Sequence, residues 1–244
     1  MTQQITVSDR FRGPPRSGNG GYVAGIIANT LGLAPSEPVE VTLRSPVPLD
    51  SPLQVTHEGN QVTVSHGETL IATARPDVAL DMHIPEPPDF MTALAVRNQS
   101  VCLQQREDSP LPGAKGLHPI CFCCGANHET GLHVYSAPVD EQQVAAAWQT
   151  EPHWAGEDGN LPLAFLWTAL DCPGQLAFFA QGKRTGLMGR MTAAVHSKVS
   201  AGEPLVVTAW PVDVDGKKHL AGSAIFNAHG ELVANALAVW FSRS

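Results

Sequence analysis

One acidic residue, Asp171, lies in an otherwise apolar stretch of the sequence, Leu161–Ala180. This stretch is apolar nearly all round, which predicts a helix that is buried by the surrounding structure. A carboxylate there is costly to bury and, without partners, has a raised pKa. Because perturbed carboxylates are associated with functional sites, Asp171 is a candidate general base or nucleophile. The structural alternative is an Asp whose oxygens hold a nearby backbone or hydroxyl group.

A second candidate for chemistry is the glycine-rich segment that precedes a predicted helix at residues 20–33. The amides of Gly20 and Gly21 would lie at the helix N-terminus, where free N–H groups and the helix dipole can polarise a carbonyl oxygen. Asn19 could orient a water or the carbonyl through its side-chain amide. The alternative for Asn19 is a helix N-cap, a common role for Asn at this position.

Further candidates would contact a substrate. Thr192 could hydrogen-bond either substrate or Asp171, although a β-branched residue in a strand needs no such role. Basic residues could bind phosphate groups, although charged residues at turn tips are usually only solvated. The candidates for phosphate are Arg190, Lys217, Lys218 and His219, and those for an apolar group are Tyr22 and Trp167, with Phe165 and Leu170 beside them.

The five cysteines raise the question of a metal or a thiol nucleophile. Cys121 and Cys124 have C-x-x-C spacing, with His118 and His128 nearby, but a second C-x-x-C or a well-spaced His pair is absent. No metal site is therefore predicted. Cys172 is disfavoured as a nucleophile, because the adjacent Asp171 carboxylate raises the pKa of its thiol. The odd number of cysteines favours reduced thiols over a disulfide framework.

The sequence contains an internal repeat. The segment Arg44–Val55 matches His196–Val207, and His66–Ala74 matches His229–Ala236 further along the chain. Two matches in the same order and at similar offsets predict a duplicated unit of roughly 80 to 130 residues.

Each repeat reads as a strand, a buried helix and then several antiparallel strands. The predicted fold class is α+β, with two tandem halves at residues 1–85 and 118–244 joined by a connector at 86–117. Pro173 is predicted to kink the second helix. The predicted strands are Ile5–Phe11, Val39–Ser45, Leu53–His57, Gln61–Ser65, Thr69–Ala74, Leu132–Val134, Val144–Gln149, Met188–His196, Pro204–Val214, Lys218–Phe226 and Leu232–Phe241.

Several segments resemble a known family. The pattern His118-Pro-Ile-Cys-Phe-Cys-Cys-Gly125 followed by Gly131-Leu132 is similar to the opening of phenylacetyl-CoA-type hotdog thioesterases. The segments Val199–Val207 and Asn227–Ala234 resemble their later strands and last hairpin. Gly18–Tyr22 looks like their helix start, with Asn19 where His is usual. The resemblance implies a double hotdog, in which each half wraps a curved antiparallel sheet around a central helix.

The resemblance also implies an activity, the hydrolysis of an acyl-CoA-type thioester. In related dimers the site combines the helix start of one unit with the carboxylate of the other, which pairs Gly20 and Gly21 with Asp171. The reciprocal site lacks an acid, so one active site per chain is expected. The alternative is a hotdog protein that binds an acyl thioester or apolar ligand without turnover. A hydratase or dehydratase ranks lower, because neither predicted helix contains a His beside the acid.

Composition restricts the partners that are expected. A formal net charge of -8 disfavours wholesale nucleic-acid binding. No apolar run of roughly 18 residues is apparent, so no membrane span is predicted and a cytoplasmic location is expected. No cofactor is expected beyond coenzyme A as part of the substrate. The partner would be a small acyl thioester, and such units can pair further into a homo-oligomer.

Overall fold

The computed structural model describes residues 3–104 and 117–242. Within them the chain forms a single antiparallel sheet of 11 strands with helices packed on it. The strands are β1 Gln3–Thr6, β2 Val39–Leu43, β3 Pro52–Glu58, β4 Gln61–His66, β5 Thr69–Arg75, β6 Ala137–Pro138, β7 Val144–Gln149, β8 Met188–Val195, β9 Pro204–Asp215, β10 Lys218–Phe226 and β11 Leu232–Phe241. The helices are α1 Gly20–Asn29, α2 Phe90–Val96, α3 Val101–Gln104, α4 Leu163–Ala169 and α5 Asp171–Ala180.

The sheet has the same strand order in its two halves, read in opposite directions. The order is β1-β3-β4-β5-β2 in the first half and β8-β11-β10-β9-β7 in the second, with β6 beyond β7. The halves join where β2 pairs antiparallel with β8, with Val41 opposite Met191. One helix, α1, belongs to the first half, whereas α4 and α5 belong to the second. The two central helices therefore meet above the seam of the sheet.

Equivalent hydrogen bonds occur at the repeated sequence segments. The amides of Arg44 and Ser45 donate to the Ile71 carbonyl at 2.8 and 3.3 Å. In the second half the amides of His196 and Ser197 donate to the Val233 carbonyl at 2.7 and 3.4 Å. The matched segments thus hold the same positions relative to their neighbouring strands.

The central helices are shorter than predicted. Helix α1 ends at Asn29 rather than near Leu33, because the chain reaches Gly32 in a left-handed conformation, with a φ of 67°. The second helix is interrupted at Leu170, within the turn before Pro173, which lacks the N–H that would continue the ladder. The Ser223 hydroxyl of β10 donates to the Leu170 carbonyl at 2.8 Å and ties the helix break to the sheet.

Two predicted strands differ from the structure. The first strand ends at Thr6, and residues 9–11 form a 3-10 turn. Leu132–Val134 is not a strand, because the Leu132 and Val134 amides bond to carbonyls of the loop at 121–124 and His133 has a φ of 55°. The predicted connector carries α2, whose Ala93 is buried among residues of β7 and β9. Residues 105–116 of that connector lie outside the described residues.

The stretch Leu163–Ala180, taken across both helices, is long and apolar enough to cross a membrane by composition alone. This corrects the expectation that no such stretch exists. In the structure 78% of it is buried inside the protein, as in a core helix. Its length and hydropathy therefore have an explanation in packing, because the sheet and α1 cover it.

Removing the Ser223 hydroxyl tests the role of the helix break. We expect Ser223→Ala to lower the free energy of unfolding by about 1 kcal/mol, because it removes a buried hydrogen bond between β10 and the helix break. Chemical denaturation of the wild type and variant measures this. Thr208→Val is the control, since that buried hydroxyl has no partner among the described residues, and it should cost less than Ser223→Ala. Equal losses in the two variants would contradict the assignment.

Candidate active site

Two glycines let α1 approach α4 closely. A Cβ at Gly21 would lie 2.5 Å from the Trp167 carbonyl oxygen and 2.7 Å from the Asp171 Cβ. A Cβ at Gly25, one turn later, would lie 2.8 Å from the Ala164 Cα. These distances are shorter than any side chain tolerates. The Gly-x-x-x-Gly spacing therefore allows the helices of the two halves to touch backbone to backbone.

This approach brings Asp171 to the N-terminus of α1. The Gly21 amide donates to the Asp171 Oδ2 at 2.8 Å, across a sequence separation of 150 residues. Its carboxylate is therefore close to the positive end of the α1 dipole. The predicted pairing of Asp171 with this glycine segment is thus present as a direct hydrogen bond.

The Asp171 carboxylate is buried, with 3% of its surface exposed. Burial raises the pKa of this carboxyl group to about 7, because desolvation opposes its ionisation. The hydrogen bonds from the Gly21 amide and the Asn19 side chain lower the pKa, but by less than burial raises it. A negative charge on Cys121 would raise it further. Its second oxygen, Oδ1, has no hydrogen-bond partner among the residues that the structure describes. The residue lines a cavity, so this oxygen is available to a water or substrate there.

Asn19 caps α1. Its side-chain oxygen accepts from the Tyr22 amide at 2.9 Å, and its side-chain nitrogen donates to the Cys121 Sγ at 3.7 Å. Both ends of the amide are therefore engaged by protein. The Gly20 amide differs, because no acceptor for it is found within residues 3–104 and 117–242. Gly20 and Asn19 both line the cavity.

The cavity has a volume of about 660 Å³, in the usual range for small-molecule sites. Its polar end holds Asp171 with the start of α1, and its walls are mainly apolar. Two arginines, Arg16 and Arg44, lie on its lining and are exposed to solvent. The apolar lining residues include Leu43, Val47, Leu117, Leu187, Met188, Trp240 and Phe241.

The predicted aromatic contacts lie elsewhere. Tyr22 stacks on Phe11 with ring centroids 3.9 Å apart, in a cluster that also contains Phe122 and Phe165. Trp167 is buried where α4 meets Gly25. Neither Tyr22 nor Trp167 is part of the cavity lining. Tyr22 packs in the aromatic cluster and Trp167 packs against α1, so both support the crossing of α1 and α4.

The predicted polar contacts are also away from the cavity lining. Arg190 pairs with Glu40 at 3.6 Å and donates to the Thr42 hydroxyl at 3.2 Å. Thr192 is buried in β8 opposite Glu40 of β2.

The three predicted residues near the β9–β10 turn have structural surroundings of their own. Lys218 lies 3.9 Å from Asp215, and the Lys217 carbonyl accepts from the Ser242 amide. His219 is buried edge-on against Phe178, with ring centroids 4.9 Å apart. None of the three lines the cavity.

Sequence reasoning missed the residues of the cavity rim and its sulfur-rich wall. Arg16 lies just before the glycine segment, and Arg44 begins the first repeated segment. Their positions beside these two motifs are the sequence signal that could have identified them. His118, Cys121, Cys124 and Cys172 line the same cavity. Cys121, Cys124 and Cys172 form the group in this region that could hold a metal ion.

No protein-family profile matches this chain, and no curated protein matches its sequence. Solved structures do match over nearly the whole chain. A candidate thioesterase from Novosphingobium aromaticivorans has 13% identity and a TM-score of 0.62, with 99% of this chain and 95% of that chain covered. A candidate thioesterase II from Thermobifida fusca has 15% identity and a TM-score of 0.61, with 98% and 92% covered.

A third similar structure is a conserved protein of unknown function from Alicyclobacillus acidocaldarius, described as having a hotdog fold. It has 10% identity and a TM-score of 0.62, with 99% of this chain and 92% of that chain covered. The fold expected from the sequence is therefore confirmed at the level of the hotdog fold. At these identities the likeness concerns the fold, and the activity has to be argued from the site itself.

The N-cap of α1 gives a prediction about stability. We expect Asn19→Ala to lower the free energy of unfolding by about 1 kcal/mol, because the Tyr22 amide loses its acceptor. Asn19→Ser should recover most of this loss, since a serine hydroxyl can cap the helix. Urea denaturation of the three proteins measures the effect. A serine variant no more stable than the alanine variant would show that the cap does not stabilise α1.

Proposed function

We propose that this hotdog-fold protein hydrolyses an acyl thioester of the coenzyme A type, with Asp171 as the general base or nucleophile. One observation carries the proposal. The Asp171 carboxylate is fixed through Oδ2 by the Gly21 amide of the other half, while Oδ1 has no protein partner in the described structure and the residue lines a cavity. A buried carboxylate held in this way is suited to a reaction and adds little to stability.

The two oxygens have different roles in this proposal. Oδ2 positions the group, and Oδ1 takes a proton from an attacking water or itself attacks the carbonyl carbon. A pKa raised towards neutrality makes the carboxylate a stronger proton acceptor than an ordinary Asp. Attack on the thioester carbonyl gives a tetrahedral oxyanion, and its collapse expels the thiolate. When water attacks, the thiolate takes the proton that Asp171 removed from that water. When Asp171 attacks, the acyl group stays on it as a mixed anhydride, which water then hydrolyses to the free acid, and the thiolate takes a proton from solvent.

The amide of Gly20 supports a role at the oxyanion. It lies at the first position of α1, lines the cavity, and points from the positive end of the helix dipole. The Gly21 amide already donates to Asp171, so we assign it to positioning the carboxylate. The sequence predicted that the amides of both glycines hold the oxyanion; we now assign this contact mainly to the Gly20 amide. The Asn19 side chain caps α1 and lowers the pKa of Asp171.

The rest of the cavity lining offers contacts for the two ends of such a substrate, the acyl group and coenzyme A. Leu43, Met188 and Trp240 provide an apolar wall for an acyl group. Arg16 and Arg44 provide exposed positive charge for the phosphates of coenzyme A. They replace Arg190, Lys217, Lys218 and His219 in this role, because those four residues do not reach the cavity.

We also infer that the chain is a double hotdog that arose by duplication and retains one site. The mirrored strand order and the repeated hydrogen bonds at Ile71 and Val233 support this. The reciprocal site would require a carboxylate on α1, which has no acidic residue.

A second candidate function is the binding of an acyl thioester without turnover. The observation that favours it is the engagement of both ends of the Asn19 amide, at a position where the resembled family usually has His. In this case the cavity would hold the ligand, and Asp171 would be a structural residue. Measurement of product release together with ligand-induced stabilisation distinguishes the two functions.

Replacing the carboxylate tests the proposed chemistry. We expect Asp171→Asn to lower kcat for thiol release from acyl-CoAs by about 10²–10⁴-fold, because it removes the proton acceptor. The Tm should stay the same or rise, since an amide oxygen can still accept from Gly21 and no charge is buried. Asp158→Asn, at an exposed acid, is the control and should keep full activity. Undiminished hydrolysis by Asp171→Asn would overturn the proposal.

Neutralising the rim arginines tests recognition of the phosphates. We expect Arg16→Gln with Arg44→Gln to raise KM for an acyl-CoA several-fold and to leave kcat nearly unchanged. The same variant should not alter KM for the matching N-acetylcysteamine thioester, which has no phosphates. Lys217→Gln with Lys218→Gln is the control, and we expect no change with either substrate. A KM effect from the lysine pair alone would place coenzyme A elsewhere.

A further inference from the structure

Three cysteines from separate parts of the chain meet beside Asp171. The Sγ atoms of Cys121, Cys124 and Cys172 all lie within 4.8 Å of one another, and those of Cys121 and Cys172 are 3.7 Å apart. Cys121 and Cys124 belong to the loop that follows the connector, whereas Cys172 is the second residue of α5. All three are buried and free of disulfides.

The spacing of these sulfurs fits a tetrahedral metal centre. With zinc–sulfur bonds of about 2.3 Å, two thiolates on a tetrahedron are separated by about 3.8 Å. The Cys121–Cys172 distance has this value already. The C-x-x-C pair supplies two corners, as in structural zinc sites. The sequence contains no second pair, and the third corner comes from α5 through the fold.

The loop at 121–125 is built around the Cys121 sulfur. The Asn19 side-chain nitrogen donates to this sulfur at 3.7 Å. Gly125 closes the loop by donating to the Cys121 carbonyl at 2.7 Å, and a Cβ there would lie 2.4 Å from the Cys121 nitrogen. A polar donor on a buried sulfur suits a thiolate that is a metal ligand.

We propose that Cys121, Cys124 and Cys172 bind one Zn²⁺ ion as thiolates. Each thiol releases its proton to solvent as its sulfur–zinc bond forms. Three sulfur ligands select a soft cation over Mg²⁺ or Ca²⁺. All three residues line the cavity, so the fourth coordination position faces the cavity and takes a water or another exchangeable ligand. The other two cysteines are also buried and do not belong to this group, although Cys123 contacts Cys172 and Cys102 contacts Cys124.

The proposal concerns a metal, and its readout is independent of hydrolysis. The protein is purified under reducing conditions and its zinc content is measured by mass spectrometry; we expect one zinc ion per chain. After removal of zinc with a chelator, Co²⁺ alone is added as the probe. The expected spectrum has an intense thiolate-to-cobalt band in the near ultraviolet and the visible bands of tetrahedral cobalt. A cobalt spectrum without the thiolate band would overturn the site.

Variants assign the ligands. We expect Cys172→Ala to weaken zinc binding at least 100-fold in competition with a chromogenic chelator. The control is Cys123→Ala, in the loop that holds Cys121 and Cys124 but not a proposed ligand, and we expect it to bind zinc as the wild type does. Equal loss in both variants would contradict the ligand set. If Cys172→Ala does not fold, the cobalt spectrum of the wild type still decides.

Asp171→Asn should keep the thiolate band, so failure of the proposed hydrolysis and failure of the metal site are separate outcomes. A Cys121–Cys172 disulfide in the freshly purified reduced protein, without zinc, would refute the proposal.

Discussion

The close contact between α1 and α4 is the constraint on which the site depends. Gly21 and Gly25 remove the side chains that would keep the helices apart, and the Gly21 amide then reaches Asp171 at 2.8 Å. The bond joins a helix start from one half of the sheet to a carboxylate from the other. Because α1 rests on β2 and α5 on β9 and β10, the position of the carboxylate depends on the seam where β2 pairs with β8. A displacement at that seam would separate the oxygen from its donor.

The strands and the central helices could be predicted from the sequence because their signals are local. Most predicted strands agree with the structure to within about two residues, since Pro, Gly and Asp mark their turns. Asp171 could also be singled out as a candidate, because it is the one charged residue in an apolar stretch of sequence. The interruption beside Pro173 follows from the missing amide of proline. Leu132–Val134 was predicted wrongly, because its amides bond to the cysteine loop, a contact that no local pattern shows.

The surroundings of Asp171 could not be predicted, because they depend on which face of each helix is turned inward. Tyr22 and Trp167 were placed at the ligand on an assumed orientation of the helix faces, but Tyr22 packs against Phe11 and Trp167 packs against Gly25. Arg16 and Arg44 reach the cavity through the loop before α1 and the strand end after β2. The meeting of Cys172 with Cys121 and Cys124 likewise depends on the fold, and a count of C-x-x-C motifs did not indicate it.

The most direct test of the central claim is a crystal structure with a non-hydrolysable acyl-CoA analogue in which a methylene separates sulfur from the carbonyl. The account predicts the carbonyl oxygen at about 3 Å from the Gly20 amide. It also predicts the Asp171 Oδ1 facing the carbonyl carbon directly or through one water, with the acyl group against Leu43 and Met188. An analogue bound in another part of the molecule, or one whose carbonyl faces away from the start of α1, would contradict it.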